Sequence, residues 1–145
     1  MHKELAIQKS RVTALEDFIT ENLPPLICPV EHQFADGVCC RIFFMPKDTV
    51  LTGVEYKKEI FWLLARGSLR ISEGDHTRDL TAPHLMKNQV GTKNAWYSYD
   101  DCIIYGFIPT NSTNVLDILN SISVEPAEEI QGMGANKQQI KWALK

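Results

Sequence analysis

The spacing of apolar and polar positions changes along the chain at about residue 38. Within residues 3–22, the later apolar residues recur three or four positions apart, which is the spacing of one helical face. Leu23-Pro24-Pro25 follows, and proline ends a helix because it lacks the backbone N–H and biases the preceding residue away from helical angles. The pattern predicts a helix over residues 3–22, whose apolar face docks on the domain or on a second copy of the chain.

From residue 38 to residue 108, short apolar or alternating runs are separated by turn residues. The predicted strands are Val38–Phe44, Thr49–Val54, Glu59–Leu64, Ser68–Ser72, Arg78–Leu80, His84–Lys87, Ala95–Tyr99 and Cys102–Ile108. Short strands with regular turns and no helices between them indicate an antiparallel sandwich or barrel. The fold class is therefore predicted to be mainly β.

Two further helices are predicted after the strands. Asn111–Ser123 carries an apolar stripe, with Ser112 or Thr113 as its N-cap. A short helix over Asn136–Leu144 contains Trp142, which either packs on the body of the domain or anchors a partner. The whole chain is predicted to be one domain, with an N-terminal helix (3–22), a β-sandwich (28–110) and a C-terminal helical extension (111–145).

Composition and charge exclude several functional classes. The net charge of −3 argues against broad nucleic-acid binding, which needs a basic surface. No apolar run approaches the roughly 18 residues that a membrane helix needs, and the polar start is unlike a signal peptide. The four cysteines show no CxxC spacing. These features predict a cytoplasmic protein with reduced thiols and no membrane partner.

Two stretches resemble the paired motifs of cupins. The first motif of that family runs from a glycine through metal-binding residues to a glutamate and a turn glycine, and the second contains a proline, a glycine and a closing metal ligand. The matching residues are Gly53-Val54-Glu55-Tyr56-Lys57-Lys58-Glu59-Ile60 with Gly67, and Pro83 with Gly91-Thr92-Lys93-Asn94-Ala95-Trp96. The resemblance implies a cupin-like double-stranded β-helix, or jelly roll, flanked by the predicted helices.

More narrowly, residues 28 to 110 resemble small cupin-like proteins of unassigned activity that are frequent in tailed bacteriophages, within the RmlC-like cupin superfamily. The residues that carry this resemblance are Pro29-Val30-Glu31-His32, Phe34, Gly37, Arg41, Met45-Pro46, Thr49, Gly53, Lys57, Glu59, Gly67, Pro83, Gly91-Thr92-Lys93 and Asp100-Asp101. The resemblance implies that the chain, if phage-encoded, acts in the host cytoplasm.

The chain departs from this family at the positions that bind metal. Histidines tend to occupy the positions of Tyr56 and Ile60 in the similar proteins, and the strand ending near Phe107 tends to carry another. Isoleucine and phenylalanine offer no donor atom, whereas a divalent ion usually needs three or more nitrogen, oxygen or thiolate ligands from the protein. We therefore expect neither a metal nor another cofactor.

Charged and aromatic side chains supply the candidate ligand-binding residues. These are Arg41, Tyr56, Lys57, Glu59, Trp62, Arg70, Trp96 and Tyr105. Lys57 and Glu59, two apart on a predicted strand, share a face and form either a polar ligand site or a salt bridge at the rim. The aromatic residues either fill the core or form a stacking pocket, beside which arginines contact a phosphate.

The remaining candidate for chemistry is His32, which acts either as a general base or as a structural hydrogen-bonding group. No catalytic residue is assigned. We expect a binding protein without metal that sequesters a small, nucleotide-like host molecule. The alternatives are a metal-independent isomerase or epimerase using His32, Glu59 and Tyr56, and a structural or assembly protein. The amphipathic helices suggest a homodimer or a higher homo-oligomer.

Overall fold

Two five-stranded antiparallel sheets form the body of the protein in a computed structural model. The model describes residues 11–18, 21–22, 28–73, 76–124 and 140–141. The strands are β1 (Val30–Ala35), β2 (Val38–Met45), β3 (Thr49–Thr52), β4 (Phe61–Arg66), β5 (Ser68–Glu73), β6 (His76–Thr81), β7 (His84–Lys87), β8 (Ala95–Ser98), β9 (Cys102–Pro109) and β10 (Ile140–Lys141). Sheet I has the order β1-β2-β9-β4-β7, and sheet II has the order β10-β3-β8-β5-β6.

The two longest strands show how the sequence specifies this sandwich. Along β2 and β9, buried and half-buried positions alternate, as a strand with one face on the core requires. All eight predicted strands are present, with ends that differ from the prediction by no more than two residues. Strand β1 was not predicted, because Glu31, His32 and Gln33 hide its alternation. Its hairpin with β2 turns at Gly37, whose φ of 77° favours glycine.

The helices predicted before and after the strands are both present in the described residues, with differences at their ends. Residues 11–18 and 21–22 are helical, and the rest of the predicted 3–22 helix lies outside the described residues. The second helix is Val115–Ile122, and its N-cap is Asn114, whose side chain accepts a hydrogen bond from the Asp117 N–H at 3.1 Å. Neither Ser112 nor Thr113 is the cap, because Ser112 Oγ instead accepts from the Asn114 N–H.

The predicted terminal helix over residues 136–144 is described only at Ile140–Lys141. These two residues form strand β10, which pairs antiparallel with β3 at the edge of sheet II. Hydrogen bonding to a sheet edge decides their conformation here, rather than the apolar spacing from which a helix was predicted. Trp142 lies outside the described residues.

The core between the sheets consists of two apolar clusters. The sheet cluster comprises Cys28, Phe43, Met45, Leu51, Leu64, Leu69, Ile71, Leu80, Trp96, Cys102 and Ile104. The helix cluster comprises Cys39, Val54, Tyr56, Ile60, Ile108, Ile118, Leu119 and Ile122. Its last three members belong to the C-terminal helix, which therefore packs its apolar stripe within its own chain. Trp62 packs against both clusters and joins them.

A buried ion pair ties the N-terminal helical residues to sheet II. Glu16 accepts a hydrogen bond from Thr52 Oγ1 at 2.7 Å, and its other carboxylate oxygen lies 2.6 Å from Lys93 Nζ. Val12 on the same helix is 4% exposed. Val12 and Glu16 are thus buried against the chain, whereas Phe18 on the same helix is 51% exposed. None of the described helices is long and apolar enough to cross a membrane.

Candidate functional site

One row of residues across the inner face of sheet I differs from its neighbours. The strand registers place His32, Arg41, Gly106, Trp62 and Met86 side by side on β1, β2, β9, β4 and β7. We call these five residues the central row. One step along the strands on either side, the inward positions enter the two apolar clusters. A cationic and aromatic row is therefore enclosed between two apolar layers.

Gly106 makes room for the indole ring of Trp62. A Cβ atom at Gly106 would lie 2.6 Å from Trp62 Cζ3, which is closer than real Cβ contacts, and 3.0 Å from Cε3, which is tighter than nearly all of them. The backbone angle of Gly106 is not in the left-handed region, so space rather than conformation requires the glycine. An isolated glycine within a strand often marks such a close approach.

Arg41 places a positive charge inside the sandwich. The residue is 7% exposed. Burial lowers the pKa of its guanidinium to about 10, so the group remains charged at neutral pH. Its NH1 donates a hydrogen bond to His32 Nε2 at 3.0 Å, which requires that nitrogen to be unprotonated. Burial first, and the charge of Arg41 second, lower the pKa of His32, so the imidazole is neutral.

Two aromatic rings, those of Tyr56 and Trp96, pack against Trp62 in the central row. The ring centroids of Trp62 and Trp96 lie 6.2 Å apart at an interplanar angle of 80°, and those of Tyr56 and Trp62 lie 6.0 Å apart at 63°. Trp96 comes from strand β8 of sheet II, so the two tryptophans meet across the sandwich. Tyr56 also interacts electrostatically with Arg41. These edge-to-face contacts hold Trp62 in one orientation.

The indole N–H of Trp62 is buried and finds no hydrogen-bond acceptor in the described part of the chain. An unsatisfied buried donor costs roughly 1–3 kcal/mol relative to one that is hydrogen-bonded. Tryptophan usually finds a partner for this group when it is buried. Together with the guanidinium of Arg41, the indole N–H gives the central row two kinds of donor. This arrangement suits a ligand that brings oxygen acceptors and negative charge.

Lys57 and Glu59 do not lie on a strand, which corrects the geometry predicted for them. Strand β3 ends at Thr52, and the chain then bends through residues 57–58 before β4. The Lys57 N–H donates to the Ile122 carbonyl, which ties this loop to the C-terminal helix. Glu59 instead pairs with Lys87 at 3.1 Å, and both side chains are more than half exposed.

Arg70 and Tyr105 lie on the outer faces of the two sheets, away from the central row. Arg70 makes a two-point contact with Asp79, at 2.8 and 3.2 Å, and Asp79 also accepts from the Tyr99 hydroxyl. Tyr105 packs against Phe107 on the outside of sheet I, with ring centroids 6.5 Å apart. Of the eight predicted residues, Arg41, Tyr56, Trp62 and Trp96 come together inside the sandwich, and the other four do not.

The position of Phe107 is a further correction. The expectation placed it where related proteins carry a metal-binding histidine, but it faces outward, and Gly106 and Ile108 face the interior. Sequence reasoning also missed Gly106 and Met86 as members of the central row. The glycine within Ile103-Ile104-Tyr105-Gly106-Phe107-Ile108 was the signal that indicates a close contact at this point.

The donor set of the central row does not fit a divalent metal ion. Its only imidazole already accepts a hydrogen bond from Arg41, and the remaining members are a glycine, an indole and a thioether. The positive charge of Arg41 would also repel a cation. In the part of the chain that the structure describes, no three His, Cys, Asp or Glu residues are grouped to hold a metal.

Comparison with known proteins identifies the fold. No protein-family model and no curated protein sequence matches the chain. A cupin superfamily protein from Desulfitobacterium hafniense matches with a TM-score of 0.50 and 14% identity over 61% of this chain and 82% of that one. Ectoine synthase from P. lautus has a TM-score of 0.50, with 11% identity over 59% of this chain and 65% of the enzyme.

A third solved structure, a protein from Neisseria meningitidis, matches with a TM-score of 0.51 and 8% identity over 71% of this chain and 96% of that one. At these identities the likeness concerns the fold alone. Together with the two antiparallel sheets, it confirms the predicted fold class. The chain therefore has the cupin fold, a mainly β jelly roll.

Proposed function

We propose that this chain is a cupin-fold binding protein whose interior takes a small anionic ligand with a planar group. The observation that carries the proposal is the central row. In that row, the residue Arg41 on β2 is 7% exposed, and the indole N–H of Trp62 on β4 has no acceptor among the described residues. Strand β9, with Gly106, lies between them. A ligand oxygen would accept a hydrogen bond from the indole, and the positive charge of Arg41 would attract an anionic group.

The surrounding side chains support a ligand that combines a phosphate or carboxylate with an aromatic ring. Arginine binds such anions at two points, with charge-assisted hydrogen bonds that are stronger than neutral ones. Trp62, Trp96 and Tyr56 provide aromatic surfaces that meet edge to face. Nucleotides have both chemical features. The finer form of the proposal, which rests on the resemblance to phage proteins, is a host signalling nucleotide that the protein sequesters in the cytoplasm.

Calorimetric titration with three probes tests this proposal: orthophosphate, 3′,5′-cyclic AMP and ADP-ribose. We expect at least one nucleotide to bind more tightly than orthophosphate and to raise the melting temperature, because a ligand that binds only the folded state stabilises it. Arg41→Met keeps the length of the side chain and removes the charge, and it should weaken binding at least tenfold. A protein that binds none of the probes contradicts the proposal.

Arg70→Met is the matched control for Arg41→Met. It removes the same functional group from the outer face of sheet II, where the side chain of Arg70 is about half exposed and paired with Asp79. We expect it to bind every probe as the unchanged protein does. Equal loss of affinity in the two variants would show that the effect is general rather than specific to the central row, and would also contradict the proposal.

One observation keeps a metal-independent isomerase as a second candidate. His32 lies in the central row with a neutral imidazole, and its basic Nε2 would become available if Arg41 turned to the ligand; Tyr56, which lies near Arg41, would be the acid. Glu59, the third predicted participant, is exposed and paired with Lys87. Turnover of a bound sugar nucleotide, followed by NMR and lost in His32→Gln with affinity retained, would favour this candidate over simple binding.

A further inference from the structure

The hydrogen bond between Arg41 and His32 joins the buried cation of the central row to a side chain that can take up a proton. A guanidinium nitrogen of Arg41 lies 3.0 Å from His32 Nε2. Because a guanidinium has no acceptor, this imidazole nitrogen is the acceptor and carries no proton. Protonation of His32 at Nε2 would therefore break the hydrogen bond and place two positive charges side by side.

Within the described residues, Arg41 is the charged group that shifts the pKa of His32. Burial first, and the charge of Arg41 second, lower that pKa. Glu31 precedes His32 on β1, but its side chain faces the outer side of sheet I. Two groups from adjoining elements, the Tyr56 hydroxyl and the Cys39 thiol, interact with Arg41. The protein itself thus keeps the imidazole neutral, and an anion bound at Arg41 would offset the positive charge that disfavours protonation.

We infer that the central row binds its anion together with a proton, which His32 takes up from the solvent at Nε2. The inference rests on the proposed function, because it concerns the same site and the same class of ligand. The guanidinium would turn its donors to the anion, and the protonated imidazole would donate a further charge-assisted hydrogen bond. Solvent can reach His32, because its side chain is half-buried on the edge strand β1.

Charge balance inside the sandwich favours this proton uptake. A buried charge is costly unless an opposite charge pairs with it. Arg41 alone balances one negative charge, whereas Arg41 and a protonated His32 balance two, as in a diphosphate group. Linkage is reciprocal, so if the anion favours protonation of His32, protonation favours the anion equally. Because the anion raises a pKa that the free protein holds low, binding should tighten as the pH falls toward that lowered pKa and level off below it.

Calorimetric titration of the full chain with ADP-ribose or 3′,5′-cyclic AMP, from about pH 8 to about pH 5.5, tests the inference. Neither phosphate group titrates in this range, whereas a phosphate monoester titrates at about pH 6. We expect the affinity to rise about fivefold or more, and by no more than about tenfold per pH unit because one proton is involved. Titrations at about pH 6 in two buffers that differ in ionisation enthalpy should show the uptake of up to about one proton per ligand.

The two possible failures are distinguishable. A nucleotide that binds with the same affinity at every pH, without proton uptake, would overturn the inference and leave the proposed function intact. Nucleotides that bind at no pH would contradict the proposed function, and the inference with it.

His32→Gln tests whether His32 is the group that takes up the proton. The glutamine side chain also offers an oxygen acceptor to Arg41, but it does not titrate, so the pH dependence and the proton uptake should disappear. His84→Gln is the matched control, because His84 is also half-buried but lies on the opposite edge strand, β7. It should keep both effects. Proton uptake that persists in His32→Gln, or that is lost in His84→Gln, would overturn the inference. Circular dichroism verifies the fold of each variant, and the proton count on the unchanged protein does not depend on either.

Discussion

Replacing Gly106 with alanine tests the packing on which the central row depends. The added Cβ would meet three atoms of the Trp62 ring at 2.6, 3.0 and 3.1 Å, and the ring is a rigid group held between two core clusters. It cannot withdraw in the way that the end of a flexible side chain does. Because ordinary contacts begin near 3.4 Å, the ring must shift by several tenths of an ångström or the strands must separate.

The expected cost follows from what overpacked cores lose. Inserting a methyl group into a well-packed interior usually destabilises a protein by about 1–3 kcal/mol. Removing a glycine from a strand returns roughly 0.5–1 kcal/mol, because alanine restricts the unfolded chain more. We therefore expect Gly106→Ala to lower the free energy of unfolding by about 1–2 kcal/mol. For a chain of this size, the melting temperature would fall by several degrees.

Urea unfolding at equilibrium measures this loss, and Gly53→Ala is the control. A Cβ at Gly53 would come no closer than 3.7 Å to another atom, which is ordinary contact, so the variant should be as stable as the unchanged protein or more so. A double-mutant cycle with Trp62→Phe adds a direct test, because the smaller ring leaves space for the new methyl group. The combined loss should be smaller than the sum of the single losses. Additive losses, or a fully stable Gly106→Ala, would refute the proposed contact.

Two further predictions concern the buried polar groups. Glu16→Gln should destabilise the protein by about 3–5 kcal/mol, because it leaves the charge of Lys93 buried without the Glu16 carboxylate. Denaturant unfolding measures this loss, and a variant about as stable as the unchanged protein would contradict the prediction. The pKa of His32 is lowered in the folded state, so its contribution to stability is complete above about pH 6.5 and is lost as the pH falls through the lowered value. When the pH is lowered from about 7.5 to about 5, the free energy of unfolding of His32→Gln should therefore fall less than that of the unchanged protein. Equal decreases would show that His32 does not contribute.

The strands were predictable because most of them carry their own signal. Alternation along β2 and β9, and glycine at the turns, specify elements that the core then selects. Strand β1 carries little such signal, because Glu31 and Gln33 face outward and the inward His32 is polar. Its pairing with β2 supplies what its own sequence lacks. The Asn114 cap likewise depended on which of several neighbouring polar residues reached the helix N-terminus.

The residue types of the candidate site could be predicted from the sequence, but the side of the sheet that each side chain faces could not. A strand turns successive side chains to opposite sides, so an error of one position exchanges interior and exterior. Phe107 was expected to occupy a ligand position, whereas its neighbour Gly106 faces the interior. Arg41 and Trp62 were selected for their chemistry, and the register then brought them together across Gly106. The apolar residues on the outer side of sheet I, such as Phe61 and Leu85, were not predicted to form one surface, because they are spread over β2, β4, β7 and β9 and meet only in the folded sheet.

The indole N–H resonance of Trp62 tests the central claim most directly. The chain has three tryptophans, so a ¹⁵N–¹H spectrum shows three indole signals, and Trp62→Phe assigns the one of interest. On titration with a nucleotide that binds, this signal should move downfield as the N–H gains an acceptor, and the shift should disappear in Arg41→Met. A signal that stays in place while the ligand binds would contradict a ligand site in the central row.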